Sequence, residues 1–154
     1  MKLGRTTEYA LRGVAFLAGN YGEGCLPLNR VARTTGVPAQ FLRKIFQQLA
    51  RRRVLVSYRG KGGGVRLTRS PDTITVYEIL CALEHPITLV SCLEDPGQCP
   101  RSGSCPARHY WHNIQRTMIQ QLQATSIIEL GKMTECASDS RINASSGESH
   151  GPLE

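Results

Sequence analysis

The fold is decided by residues 28–67, whose sequence is LNRVARTTGVPAQFLRKIFQQLARRRVLVSYRGKGGGVRL. Residues 28–34 have the apolar spacing of a short helix. Residues 35–37 are typical of a tight turn, and Pro38 favours the first position of a second helix. Helix, tight turn and helix in this order predict a helix-turn-helix.

The helix that starts at Pro38 has one apolar and one polar face. Its apolar side chains recur at steps of three and four residues, at Phe41, Leu42, Ile45, Phe46 and Leu49. The opposite face carries amides and positive charges, at Gln40, Arg43, Lys44, Gln47 and Gln48. Such a face can enter the major groove of DNA, because amide, guanidinium and ammonium groups hydrogen-bond to base edges. We predict base contacts from Gln40, Arg43 and Lys44, and phosphate contacts from arginines outside this face, namely Arg5, Arg51, Arg52 and Arg53.

A two-stranded wing follows this helix. Val54, Val56 and Tyr58 alternate at the period of a strand, and Val65 and Leu67 are predicted to lie on a second strand that pairs with it. In the connecting loop, three consecutive glycines let the backbone approach a phosphate or a groove wall, while Arg59 and Lys61 supply charge. A flexible hairpin tip is the alternative interpretation. The loop is not a nucleotide-binding P-loop, because no Ser or Thr follows the lysine and no helix follows the loop.

The flanking segments complete a domain over residues 1–84. Thr6 or Thr7 is predicted to cap a first helix, whose apolar residues are Ala10, Leu11, Val14 and Leu17. Thr75 and Glu78 have the spacing of a capping box, which opens a helix through Val76, Ile79 and Leu80. We expect this helix to close the domain.

Charge is divided very unevenly along the chain. Residues 1–70 contain 14 of the 19 Lys and Arg but only two of the 12 acidic residues, which gives a net charge of +12 there and −5 in the remainder. This segregation favours a polyanion as the partner, most commonly DNA or RNA. An anionic membrane surface and a solvated basic surface without a ligand are the alternatives.

Three of the six cysteines lie within one loop, residues 85–106, which is rich in Pro and Gly. No apolar stretch resembles a signal peptide or a membrane span, so we expect a cytoplasmic protein with reduced thiols. Cys92, Cys99 and Cys105 can converge as thiolates on an iron–sulfur cluster, which would need one further ligand, or on zinc. Three unliganded thiols are the remaining interpretation. The other cysteines, Cys25, Cys81 and Cys136, are not ligand candidates.

Beyond the cysteine loop, residues 107–133 are predicted to form a long helix. Its apolar stripe runs through Trp111, Ile114, Met118 and Leu122. Such a stripe needs a partner. It could pack into the core of its own chain, but a second copy of the chain is the expected partner. Ser126 and Glu129 can cap one further turn. Residues 134–154 are rich in Ser, Gly and charge and are expected to be disordered.

These features together resemble the winged helix-turn-helix family of bacterial iron–sulfur transcriptional regulators that includes IscR, NsrR and RirA. The resemblance runs from Met1 to about Leu130. It is carried by Met1-Lys2-Leu3, Glu8-Tyr9-Ala10, Gly36-Val37, Phe41-Leu42, Leu49, the wing residues 56–64 and the three-cysteine loop. It implies a homodimer with crossed long helices, a palindromic operator in double-stranded DNA, and one cluster in each subunit. Transcription would change when that cluster is lost, oxidised or nitrosylated.

The resemblance also implies roles for individual residues. The three loop cysteines take the ligand positions for a 2Fe-2S or 4Fe-4S cluster. In one branch of the family the fourth ligand is an acidic residue near the N-terminus of the partner subunit, a place that Glu8 occupies in this sequence. In another branch it is a histidine, to which His109 corresponds with a displacement of one residue. We therefore favour Glu8, although an acid in the first turn of a helix is also favoured by the helix dipole. Arg59 takes the wing position expected in a minor groove, and residues 40–44, which include Phe41, take the base-reading surface.

We thus expect a mainly α chain, a winged helix-turn-helix with a small two-stranded β wing and a long C-terminal dimerisation helix. Its expected function is that of a transcriptional regulator, a repressor, whose iron–sulfur cluster senses iron, nitric oxide or redox state. A structural zinc or a thiol redox switch on the same scaffold is the alternative. No nucleophile–base pair, paired carboxylates or phosphate-binding motif suggests an enzyme.

Overall fold

The computed structural model describes residues 4–60, 62–83 and 87–132. Its helices are α1 (Arg5–Gly19), α2 (Leu28–Thr35), α3 (Ala39–Arg51), α4 (Val76–Leu83), α5 (Ser91–Glu94) and α6 (Pro106–Ala124), with short 3₁₀ turns at Pro71–Thr73 and Pro96–Gln98. Two strands, β1 (Leu55–Tyr58) and β2 (Gly64–Leu67), form the wing. The mainly α, winged helix-turn-helix fold is confirmed. The expectations for Lys61, Cys136, the domain boundary at residue 84 and the tail from residue 134 lie outside the described residues.

Helix α1 begins earlier than the sequence predicted. Gly4, in an extended conformation, occupies the N-cap position, and the helix starts at Arg5. The predicted caps are wrong because Thr7 lies on the same helix face as Ala10 and Val14 and is turned into the core, where it is 1% exposed.

The core is formed where α1, α2 and α3 pack around one another. It contains Ala10, Val14, Leu17, Val31, Leu42, Ile45, Phe46 and Leu49, all buried. Phe41, predicted to point inward with the α3 stripe, is instead 46% exposed, because it lies at the edge of that stripe. The turn between α2 and α3 is made by Gly36, whose φ of +67° is a left-handed conformation that glycine adopts without strain. Pro38 is the N-cap of α3 and Ala39 the first helical residue, one position later than predicted.

The wing strands pair in a different register from the one expected. Leu55 lies opposite Leu67, and Ser57 lies opposite Val65, so Val56 and Tyr58 are on the other face of the ribbon. The prediction failed because Val54 and Leu55 are both buried, and the alternation of the strand starts only after this pair.

A second pairing anchors the wing to the loop before α2. The backbones of Leu26 and Val65 exchange two hydrogen bonds of 2.9 Å. Gly64 lies against this pairing, and a Cβ atom there would be 2.4 Å from the carbonyl oxygen of Leu26. Only glycine fits this crossing without displacing backbone.

Both predicted capping boxes are present. The amide of Thr75 donates to the carboxylate of Glu78 at 3.0 Å, and the amide of Glu78 donates to the Thr75 hydroxyl at 3.2 Å. The amide of Ser126 donates to the carboxylate of Glu129 at 2.8 Å, and the amide of Glu129 donates back to the Ser126 hydroxyl at 3.4 Å.

Helix α6 ends at Ala124, before the further turn that the Ser126 capping box was predicted to open. Thr125 is extended, and Ser126 forms an isolated antiparallel bridge with Thr75. Ile127, fully buried, then joins the core of the winged domain, and residues 127–132 are helical again. A long-range backbone pairing therefore interrupts the helix and returns the chain to the first domain.

Candidate nucleic-acid interface and cysteine loop

The polar face of α3 is open to solvent and positively charged. Gln40, Arg43 and Lys44 are exposed on it, and Arg51 follows at the end of the helix. The ion pairs among the described residues are Arg12–Glu8, Arg30–Glu23 and Arg69–Glu78, so none of them neutralises α3. The face predicted to read DNA thus keeps its charge and its hydrogen-bonding groups free for a ligand. Arg5, predicted as a phosphate contact, is exposed at the start of α1.

An aromatic contact joins α1 to α3. The rings of Tyr9 and Phe41 lie 6.0 Å apart between centroids, with an angle of 56° between their planes. Tyr9 directly follows Glu8, and Phe41 lies between Gln40 and Leu42 on α3. A displacement of the first turn of α1 would therefore act on α3 through this ring contact.

The wing presents Arg59 at its exposed tip. A hydrogen bond of 2.9 Å from the amide of Gly63 to the carbonyl of Gly60 closes the turn that follows it. The predicted arginine contact thus lies on a compact hairpin end.

Two wing residues that sequence reasoning did not assign, Tyr58 and Arg66, form a pair on the outer face. The Arg66 guanidinium donates to the Tyr58 hydroxyl at 3.2 Å and lies 5.8 Å from the centre of its ring. The hydrogen bond to Tyr58 raises the pKa of Arg66 above its already high ordinary value, so the group stays charged. A basic residue between the buried Val65 and Leu67 was the signal that could have identified it.

The three loop cysteines are free thiols and half-buried. Cys92 lies in α5, Cys99 directly follows the 3₁₀ turn, and Cys105 is the N-cap of α6. Within the described residues, no three Cys, His, Asp or Glu side chains lie close enough together to hold a metal ion. The donor type fits an iron–sulfur cluster, whose usual ligands are thiolates. The three sulfurs would have to move closer together to form that ligand set.

Two side chains of α6 fasten the loop, one at α5 and one just before it. The Arg108 guanidinium donates to the carbonyl of Cys92 at 3.2 Å. The amide of Leu89 donates to the side-chain carbonyl of Gln115 at 3.0 Å. The loop is therefore attached to the long helix, and a rearrangement of one would act on the other.

The two candidates for a fourth ligand lie in different surroundings. Glu8 is exposed in the first turn of α1 and paired with Arg12. His109 is exposed in the first turn of α6. Neither completes a ligand group with the cysteines of the same chain.

A large groove runs beside Glu8. Its volume is about 860 Å³, and it is lined by residues of α1, the end of α2 and the segment after α6, including Glu8, Leu11, Arg12, Phe16, Thr34 and Leu130.

The predicted apolar stripe of α6 divides into two parts. Met118 and Leu122 pack within the chain against the cluster of Val76, Leu80 and Ile87, so for this half of the stripe the alternative of an intramolecular core holds. At the other end of the helix, Tyr110, Trp111 and Ile114 are 60%, 40% and 42% exposed. The N-terminal half of α6 thus has an aromatic, solvent-exposed face.

The model of the Rrf2 family, described as an iron-dependent transcriptional regulator, matches residues 3–132. The chain belongs to the Rrf2 family. It is a helix-turn-helix transcriptional regulator. None of the helices in the described part of the chain is long and apolar enough to cross a membrane.

Several Rrf2 relatives match nearly the whole domain. The protein aau3 of Rhizobium meliloti is 33% identical over 134 residues, which are 86% of each chain. The regulator IscR of Aliivibrio salmonicida is 28% identical over 130 residues, 84% of this chain and 77% of that one. The structure of CymR, the global cysteine regulator of B. subtilis, superposes with a TM-score of 0.73 at 30% identity, covering 86% of this chain and 98% of that one.

Proposed function

We propose that this Rrf2 regulator is a homodimeric repressor that binds a palindromic DNA operator, and that an iron–sulfur cluster held by Cys92, Cys99 and Cys105 controls its affinity. The observation that carries the proposal is the presence of three free, half-buried thiols in one loop fastened to α6. The same chain carries an uncompensated basic recognition helix. Sensing groups and DNA-reading groups are thus combined in one small protein.

The comparisons support a sensing role and leave two chemistries to distinguish. The family description names iron, which favours the cluster. One relative is described as a global cysteine regulator, which favours a thiol-based switch as the second candidate. A structural zinc on the same thiolates belongs to this second candidate.

Dimerisation rests on two surfaces of the same chain. The groove beside α1 is open, and the exposed face of Tyr110, Trp111 and Ile114 has no apolar partner within the described residues. Placing this face of one copy in the groove of another would bury both. Because Glu8 lines that groove, its carboxylate would then lie beside the cysteine loop of the partner subunit. This arrangement supports Glu8 over His109 as the fourth ligand.

The residues of the chain supply a path from that site to DNA. In the single chain the carboxylate of Glu8 is paired with Arg12. In the proposed dimer Glu8 exchanges this partner for the cysteine loop of the other subunit, which moves the first turn of α1. Tyr9 carries the movement to Phe41 and so to α3. The cluster, when bound, supplies a centre that responds to iron supply, oxidants and nitric oxide. Coupling of about 1–3 kcal/mol is typical of such allosteric links.

The test is the visible absorption of protein purified without oxygen, together with iron and sulfide analysis. We expect a brown protein with iron matching sulfide, and the loss of both in Cys99→Ala. Cys25→Ala, which removes a half-buried thiol outside the loop, is the matched control and should keep its colour. A colourless anaerobic protein that contains zinc or no metal would contradict the cluster and favour the second candidate, a thiol-based switch or a structural zinc.

A further inference from the structure

The outer face of the wing brings Tyr58 and Arg66 together. Tyr58 lies opposite Gly64 in the strand register, and Arg66 lies opposite Val56, so the two are diagonal neighbours on one face. The guanidinium reaches the Tyr58 hydroxyl at 3.2 Å and so carries its charge towards the tip of the wing.

This pair is not neutralised. Arg66 takes part in none of the ion pairs found among the described residues. The sequence contains no Asp or Glu between Glu23 and Asp72. Tyr58 directly precedes Arg59, so the Tyr58–Arg66 pair lies next to a second arginine at the same end of the hairpin.

The hydrogen-bond chemistry of the pair suits a phosphate oxygen. The Tyr58 oxygen accepts from Arg66, which leaves the phenolic O–H free to donate elsewhere. Arg66 keeps further N–H donors that this bond does not use. Donors combined with a fixed positive charge are the groups that bind the backbone of DNA.

We propose that Tyr58 and Arg66 form a phosphate clamp that holds the DNA backbone next to the groove entered by Arg59. The inference rests on the proposed DNA-binding function and adds two residues to its interface. It does not depend on the occupant of the cysteine loop.

The test measures the affinity of the full chain for a fluorescent 30-base-pair duplex of mixed sequence at several NaCl concentrations. In Arg66→Ala we expect weaker binding and a slope of log K against log[NaCl] that falls by about 0.9 for each phosphate that the protein no longer neutralises. Arg66→Lys should keep the slope because it keeps the charge. Tyr58→Phe should keep the slope and weaken binding about tenfold to a hundredfold, as expected for the loss of one hydrogen bond to a charged group.

Arg101→Ala is the matched control, because it removes the same charge from an exposed position in the cysteine loop. An unchanged salt slope in Arg66→Ala, or an equal fall in Arg101→Ala, would overturn the clamp. If the wild-type chain does not bind the duplex, both the clamp and the proposed DNA-binding function fail. A lower slope in Arg66→Ala, with the wild-type slope kept in Arg66→Lys and Arg101→Ala, supports the clamp and excludes a folding defect.

Discussion

Gly64 shows how a single residue fixes the position of the wing. It starts β2 and lies directly against the backbone of Leu26, which precedes α2. The wing is therefore attached, close to its tip, to the segment that precedes α2, and this attachment holds the tip with Arg59 relative to the helix-turn-helix. Glycines in the wing were predicted to allow a close approach to DNA, whereas this one allows a close approach to the protein itself.

We expect Gly64→Ala to destabilise the domain by about 1–3 kcal/mol, because its Cβ would meet backbone rather than a movable side chain. Thermal unfolding followed by circular dichroism measures the change. Gly103→Ala is the control, since nothing lies within 4 Å of a Cβ at that position. Equal melting temperatures for wild type and Gly64→Ala would show that the crossing at Leu26 is looser than described.

Among the elements, those defined by local sequence could be predicted and those defined by distant contacts could not. The α2–α3 unit and both capping boxes follow from residues at most four positions apart. The register of the wing was missed because Val54 and Leu55 are both buried, which breaks the alternation. The further turn after α6 could be predicted from the Ser126 capping box, but the pairing of Ser126 with Thr75, about fifty residues earlier, could not.

The cysteine loop was predictable in donor type but not in arrangement. Cys92, Cys99 and Cys105 stand out by their spacing, yet the described chain does not bring them into one ligand group. The approach of three sulfurs depends on a ligand and on the other subunit, and neither leaves a periodic pattern in the sequence. Tyr58 and Arg66 were missed for a related reason, since their contact depends on the strand register.

The capping box at Ser126 makes the stability of the helical segment after α6 depend on pH. Hydrogen bonds from Ser126, first from its amide and then from its hydroxyl, hold the pKa of Glu129 below its ordinary value of 4.5. A lowered pKa in the folded state means that this contribution to stability is full above pH 4.5 and is lost as the pH falls through the folded value. Gln can keep the cap but cannot titrate.

We therefore expect the melting temperature of Glu129→Gln to fall less than that of the wild type between about pH 5 and pH 3. Melting curves at closely spaced pH values measure this. Glu94→Gln, which alters a carboxylate outside both capping boxes, should follow the wild-type curve. Parallel curves for wild type and Glu129→Gln would mean that the cap contributes nothing to the acid sensitivity.

At the scale of the whole molecule, the described residues leave a groove beside α1 unfilled and an aromatic face of α6 exposed. If two copies meet through these surfaces, Ile114→Glu should convert dimers to monomers, because it would bury a charge in an apolar contact. Sedimentation velocity measures the assembly state. Gln123→Glu introduces the same charge at an exposed position on the opposite side of α6 and should leave the dimer intact. Dimers that survive Ile114→Glu would require another interface.

The dimer also determines which chain completes the cysteine site. If Glu8 acts across the interface, the variants Glu8→Ala and Cys99→Ala should each lose cluster iron as homodimers. A mixed dimer of the two, purified with a different tag on each chain, should regain iron in one of its two sites. The intact cysteines of the Glu8→Ala chain would then meet the Glu8 of the Cys99→Ala chain.

A ligand donated within the same chain predicts the opposite result, because neither site of the mixed dimer would be complete. His109→Ala provides the matched comparison. If His109 were the fourth ligand, Glu8→Ala would keep its iron and His109→Ala would lose it. Restored iron in the mixed dimer together with normal iron in His109→Ala would assign the ligand to Glu8 of the partner subunit. The same result would make dimerisation a condition of sensing, because an isolated chain could not assemble the site.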